Sequence, residues 1–139
     1  MTKVQTVLGE IDSSEMGICL THEHILNDVK SWWCSTEQPG INPDEFRDAP
    51  VSVEILWELR QDPFGNLDNL GMNDLEVAAQ ELERFSSFGG VTVLEATSVS
   101  IGRDLPGLRA ISEKTGLNII AGTGLYLDAS MSEDQRNMS

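Results

Sequence analysis

The chain carries two histidines, His22 and His24, in the stretch "GICLTHEHIL" at residues 17–26. Histidine is the commonest protein ligand for metal ions. Residues two apart in a strand point to the same face, so the two imidazole rings would lie side by side. Two imidazoles packed together need a shared ion or several hydrogen-bond acceptors. The pattern therefore favours a divalent metal site over two unrelated structural histidines.

The surrounding stretch, residues 17–26, has mostly apolar residues on both faces of the predicted strand. This pattern predicts a strand that is buried on both faces in a parallel sheet. The histidines lie at its carboxyl end, the edge where parallel α/β folds place their sites. A catalytic zinc ion usually has three protein ligands and a water. Cys19 lies on the opposite face of the strand, so further ligands must come from elsewhere.

Glu95 lies inside the second apolar run, where a carboxylate is unusual. We expect Glu95 to hydrogen-bond to a metal ligand or to line the pocket. The alternative is a buried carboxylate that is paired and purely structural. Asp104 is more simply explained as a helix cap. Arg103 is expected to pair with a carboxylate and hold its loop.

Three aromatic residues are candidate substrate-binding residues. Trp32 and Trp33 follow the first strand and would overhang a pocket mouth, although plain loop anchoring explains them equally well. Tyr126 ends the third apolar run and could line the same pocket, or could simply expose its hydroxyl to water.

The remaining sequence alternates strands and helices. The opening "VQTVLGEID" (4–12) followed by the turn "SSEMG" (13–17) predicts a β-hairpin, and the long segment 27–72 contains one modest helical patch at 52–61. The regular part of the chain then predicts a helix at about 74–88 with an Asn73-x-x-Glu76 capping box, a strand at 91–98, a helix from Asp104 to Gly116 with Pro106 in its first turn, and a strand at 118–126. This order is typical of a parallel sheet with helical crossovers.

Composition limits the function classes. Nine Lys plus Arg against 23 Asp plus Glu give a formal charge of −14, which disfavours binding to nucleic acid or to an anionic membrane. The N-terminus lacks the apolar segment of a secretory signal, and no apolar run approaches the roughly 18 residues of a membrane helix. We therefore expect a cytoplasmic globular domain, in which Cys19 and Cys34 form no disulfide.

Three motifs together resemble the phosphotriesterase-related family of the amidohydrolase superfamily: "LTHEHI" on the first strand, "GRDLPGLRAISEKTGLNIIAGTGLY" after the second, and "TVLGEI" in the hairpin. The resemblance runs from about residue 4 to 127. It implies an α/β fold, the N-terminal part of a (β/α)₈ TIM barrel with a leading hairpin (1–16), three parallel strands (17–126) and a polar tail (127–139).

The resemblance also implies a metal-dependent hydrolase. His22 and His24 would bind the more buried of two divalent metals, usually zinc, and a hydroxide bridging the metals would be the nucleophile. The substrate would be a small ester: a lactone, another carboxylic ester or an organophosphate triester.

A complete barrel takes about 250 residues, and the other metal ligands implied by the resemblance lie on later strands. One of these implied ligands is a carboxylated lysine or a glutamate on the fourth strand that bridges the two metals, and neither Lys30 nor Lys114 matches its position. We therefore expect an incomplete barrel whose open edge favours poor solubility or homo-oligomerisation. The alternative, from a different class, is a catalytically incomplete remnant that acts as a metal-binding or self-associating module.

Overall fold

The computed structural model describes residues 2–137. Its strands and helices are, in chain order, β1 (Lys3–Thr6), β2 (Gly9–Asp12), β3 (Ile18–Glu23), β4 (Asn27–Asp28), α1 (Pro43–Asp48), α2 (Leu56–Gln61), β5 (Gly71–Met72), α3 (Leu75–Ser87), β6 (Gly90–Glu95), α4 (Leu105–Thr115), β7 (Asn118–Ala121) and α5 (Glu133–Arg136).

The centre of the fold is a three-stranded parallel sheet in the order β3-β6-β7. Val93 of β6 lies opposite Leu20 on one side and Ile119 on the other. β1 and β2 form an antiparallel hairpin, and β4 pairs with β5 to join the two ends of the long segment after the first strand. The predicted α/β arrangement, with a leading hairpin and three parallel strands, is confirmed.

The hydrophobic core lies between the sheet and helices α3 and α4. Its buried side chains come from both helices and from the sheet: Ala79 and Leu82 of α3, Leu108 and Ile111 of α4, and Val93 and Ile119 of the strands. Removing this apolar surface from water is the main force that holds the helices on the sheet.

Local capping fixes the ends of the two crossover helices. The Asp74 carboxylate accepts hydrogen bonds from the backbone N–H groups of Glu76 (2.9 Å) and Val77 (3.1 Å). The predicted capping box at Asn73 is therefore wrong by one residue, because the Asp74 side chain occupies the cap position. In α4, the predicted Asp104 cap is confirmed: its side chain accepts from Gly107 N at 3.0 Å.

All three strands of the sheet are shorter than predicted. β6 ends at Glu95 rather than at residue 98. β3 ends at Glu23, with a register irregularity between Leu20 and Glu23. It is also not buried on both faces, since Ile18 is 61% exposed. β7 ends at Ala121 rather than at residue 126, because the chain turns away through Gly124, which has a φ of +104°.

The hairpin turn also differs from the prediction. Val7 and Leu8 form the turn between β1 and β2, and the Thr6 hydroxyl donates to Gly9 O at 2.8 Å to close it. The predicted turn "SSEMG" instead begins with a short 3₁₀ helix at Ser13–Glu15.

Helices outside the sheet were only partly predicted. α2 falls within the predicted patch at 52–61, whereas α1, capped by Asn42, was not predicted. The polar tail at 127–139 gave no strong signal for a helix or strand, and it contains the short helix α5, capped by Ser132. Residues 138 and 139 lie outside the described part of the chain.

Two further features of residues 2–137 bear on the expectations above. The thiols of Cys19 and Cys34 are both free. No described helix combines the length and the apolar composition that crossing a bilayer requires.

Candidate active site

The two histidines meet at the carboxyl end of the parallel sheet. His22 lies in β3 and His24 follows its last residue. Their ring centroids are 5.4 Å apart, with an angle of 70° between the ring planes. Both side chains are exposed on the open face of the sheet. The alternation of the strand thus brings the rings together as the sequence predicts.

The histidines open into a cavity of about 380 Å³. It is lined by residues from the strand ends and from the loops that follow them: His22, His24, Asn27, Val29, Trp32, Ala96, Ile101 and Tyr126. Most of these walls are apolar, so the imidazoles are the strongest potential metal ligands in the lining.

Trp32 and Tyr126 form one wall of this cavity. Their ring centroids are 5.7 Å apart, and the ring centroid of Phe64 lies 6.0 Å from that of Trp32. The backbone N–H of Tyr126 donates to Ser100 Oγ at 2.8 Å, which holds the segment that follows β7 near the loop after β6. These contacts place two of the three aromatic candidates beside the histidines.

Trp33 does not line the cavity. Its indole N–H donates to Gly65 O at 3.2 Å, and the Arg47 guanidinium lies 5.3 Å from the ring centroid. Trp33 therefore anchors the long segment between β3 and α3, the second of the two roles considered for it.

Glu95 is fully buried at the end of β6. Its carboxylate accepts hydrogen bonds from the backbone N–H of Ile25 (3.2 Å) and of Thr97 (3.1 Å), and also from the Thr97 hydroxyl. A buried carboxylate needs such partners to offset its lost hydration. The three donors surround the carboxylate, and no basic side chain within residues 2–137 forms an ion pair with it.

Thr97 connects Glu95 to the histidine pair. Its hydroxyl oxygen lies 2.9 Å from His24 Nδ1, and the residue is fully buried. Thr97 was not among the residues predicted from the sequence. The sequence does place Thr97 two residues after Glu95 at the end of a predicted strand, so its hydroxyl lies close along the chain to an unusual buried carboxylate.

The other charged candidates have structural contacts. Arg103 donates to the backbone carbonyl of Gly122 at 2.5 Å, so it holds its loop as expected but through a carbonyl rather than a carboxylate. Lys30 lies 3.5 Å from Asp28, and Lys114 forms an ion pair with Glu76, both at the surface.

The histidine pair fits a divalent metal as two of its ligands. Imidazole suits zinc, the rings lie close together, and one face of the pair is open. Within residues 2–137, however, no group of three or more His, Cys, Asp or Glu side chains is arranged to hold an ion. The described residues therefore do not include a full set of ligands for a metal ion.

Comparison with known proteins shows which family this chain resembles in sequence. The sequence model of the Phosphotriesterase family matches residues 2–139. An N-acetyltaurine hydrolase of Danio rerio is 38% identical over 138 residues, a match that covers 99% of this chain and 39% of that protein. The chain thus spans about two fifths of the length of such relatives.

Solved structures agree. A resiniferatoxin-binding protein from Rhodobacter sphaeroides is 42% identical with a TM-score of 0.91, over 99% of this chain and 38% of that one. The phosphotriesterase from Mycobacterium tuberculosis shares the fold at 23% identity and a TM-score of 0.55, over 91% of this chain and 30% of that one. Both have phosphotriesterase-like TIM barrels, which confirms the predicted fold class. The chain belongs to the Phosphotriesterase family.

Proposed function

We propose that this chain contributes His22 and His24 to the metal site of a metal-dependent hydrolase, with zinc as the expected ion. The observation that carries this proposal is the pair of imidazoles 5.4 Å apart at the carboxyl end of the sheet, facing a cavity. Family membership supports the same chemistry.

A divalent metal bound there would lower the pKa of water and polarise the bond under attack. The residues of this chain would position that chemistry. The contact with Thr97 orients His24, and the wall formed by Trp32 and Tyr126 offers an apolar surface for the organic part of a small substrate.

For the substrate we propose a carboxylic acyl compound. The sequence predicted an ester: a lactone, another carboxylic ester or a phosphotriester. The N-acetyltaurine hydrolases among the relatives, at 34–39% identity, add N-acyl amides to this set. Amide and ester hydrolysis both require a polarised carbonyl and an activated water, so one site could serve both.

Zinc titration of the purified chain tests the metal part of the proposal. We expect binding to the wild-type chain, and loss of binding in His22→Ala and in His24→Ala, because each variant removes one of the paired imidazoles. Glu83→Ala, an exposed acidic residue on α3, is the control and should bind like the wild type. Undiminished binding by the double histidine variant would contradict the proposal.

Hydrolysis is tested separately, with the zinc-loaded protein and a panel of N-acetyltaurine, a γ-lactone, p-nitrophenyl acetate and a diethyl aryl phosphate. Turnover of one class that disappears in the double histidine variant supports the assignment. Turnover that persists without both histidines, or after chelation of the metal, would refute it.

A non-catalytic role is the second candidate. The two-ligand set within residues 2–137 favours it, as does apolar surface such as Phe88, which is 87% exposed. A self-associating module predicts a concentration-dependent oligomer on size-exclusion chromatography and no turnover of any substrate. A monomer with turnover would rule it out. The cytoplasmic location, and the lack of nucleic-acid and membrane partners, stay predictions from the sequence.

A further inference from the structure

The contact between His24 and Thr97 has a definite direction. A threonine hydroxyl has one hydrogen to donate and lone pairs to accept with. An ionised carboxylate has no hydrogen to donate, so the Thr97 hydroxyl donates its hydrogen to Glu95, which also accepts from the backbone N–H groups of Ile25 and Thr97. The Thr97 oxygen can therefore only accept from His24, at 2.9 Å from Nδ1.

This accounting fixes the tautomer of His24. When Nδ1 carries the proton that it donates to Thr97, the other ring nitrogen, Nε2, holds the free lone pair. A neutral imidazole binds a metal through such a lone pair. In the described residues His22 shows no comparable hydrogen bond, so the two histidines differ in how firmly they are oriented.

We propose that Thr97 is a positioning residue for the metal site. Supported by Glu95, it holds His24 in the Nδ1–H tautomer and directs Nε2 toward the histidine-lined cavity. The part concerning the metal rests on the proposed function, whereas the tautomer is a property of the metal-free protein. Glu95 acts indirectly, because it contacts the Thr97 hydroxyl and not the His24 ring itself.

The geometry supports a positioning role over a merely structural one. Glu95 is not part of the cavity lining and Thr97 is fully buried, so neither side chain is placed to touch a substrate. The chain of contacts nevertheless ends on the ring of an exposed histidine. An apolar residue at position 97 would fill the same space but would leave the imidazole without its acceptor.

Nuclear magnetic resonance of the metal-free, full 139-residue chain tests the tautomer directly. Long-range ¹H–¹⁵N correlations of ¹⁵N-histidine-labelled protein, at a mildly alkaline pH where an unperturbed imidazole is neutral, report which ring nitrogen carries the proton. A His22→Gln variant assigns the two rings. We expect His24 to be protonated on Nδ1 in the wild type and in Thr97→Ser, which keeps the hydroxyl.

The matched variant is Thr97→Val, which has nearly the same shape and no hydroxyl. We expect His24 to lose its Nδ1–H preference there, and the restored preference in Thr97→Ser shows that the hydroxyl is responsible. Circular dichroism checks that the Val variant is folded. Wild-type His24 protonated on Nε2, or an unchanged Nδ1–H tautomer in a folded Thr97→Val, would overturn the proposal.

Zinc affinity gives the second readout. Loss of a hydrogen-bond partner behind a metal-bound histidine typically weakens binding by about 10–100-fold. We expect a loss of about that size in Thr97→Val and near-wild-type affinity in Thr97→Ser. Equal zinc affinity in the wild type and Thr97→Val would refute the metal part of the proposal. If the wild type shows the Nδ1–H tautomer but binds no zinc, the proposed function fails while the orientation of His24 by Thr97 stands.

Discussion

Replacing Glu95 should destabilise the protein by an amount that the structure allows to be worked out. In Glu95→Ala the buried backbone N–H groups of Ile25 and Thr97 lose their acceptor. Each buried donor without a partner costs about 1–3 kcal/mol, so the two together cost about 2–6 kcal/mol. That is a large part of the 5–15 kcal/mol that stabilises a typical domain, as an order of magnitude.

Glu95→Gln should be milder, because it keeps the volume and one oxygen. That oxygen can still accept from Ile25 N–H and the Thr97 hydroxyl, while the new amide N–H₂ faces the Thr97 N–H. One donor then lacks an acceptor, at a cost of about 1–3 kcal/mol. The expected order of stability is therefore wild type, then Gln, then Ala.

Urea unfolding followed by tryptophan fluorescence measures these differences, since the free energy of unfolding falls linearly with denaturant. Glu83→Ala removes an exposed carboxylate and should change stability by no more than about 0.5 kcal/mol. A free energy of unfolding for Glu95→Ala within about 1 kcal/mol of the wild-type value, or a Glu95→Gln variant less stable than Glu95→Ala, would contradict this role of the Glu95 carboxylate.

Three further predictions follow from other contacts. Leu108→Ala, at a fully buried position, should lower the free energy of unfolding in urea by about 2–5 kcal/mol, as large cavities in cores do. Asn66→Asp should also lower the urea midpoint at neutral pH, because the side-chain amide of Asn66 donates to two backbone carbonyls that would face a carboxylate instead. The hydrogen bond that Lys114 donates to the Glu76 carboxylate raises the pKa of Lys114. This exposed pair should therefore add a small stability that is present below the ordinary lysine pKa and is lost as the pH rises through the raised value. Comparison with Lys114→Met across that range measures it, and an equal difference throughout would contradict it.

Much of the fold could be predicted because its signals are local. The α3 and α4 helices follow from apolar periodicity and from caps within a few residues, and even the misplaced cap at Asn73 was wrong by one position only. The burial of β3 was predicted poorly. Whether other elements cover Ile18 depends on residues far away along the chain. The apolar sequence of the strand is the same whether one face or both faces are buried.

The candidate site divides in the same way. Strand alternation was enough to predict that His22 and His24 lie together, and an acidic residue in an apolar run singled out Glu95. The contact between His24 and Thr97 joins residues 73 positions apart. It depends on how β3 and β6 align, and that alignment is irregular between Leu20 and Glu23, so spacing in the sequence could not have predicted it.

Glu95 finally shows why the fold and the site are linked at this position. A purely structural core would favour an apolar side chain, because a buried charge loses its hydration. The carboxylate instead satisfies the N–H of Ile25, just beyond the end of β3, and orders the Thr97 hydroxyl next to His24. Positions that break a folding rule in this way tend to be functional. We therefore expect an apolar replacement such as Glu95→Leu to disturb the orientation of His24 even in a chain that still folds.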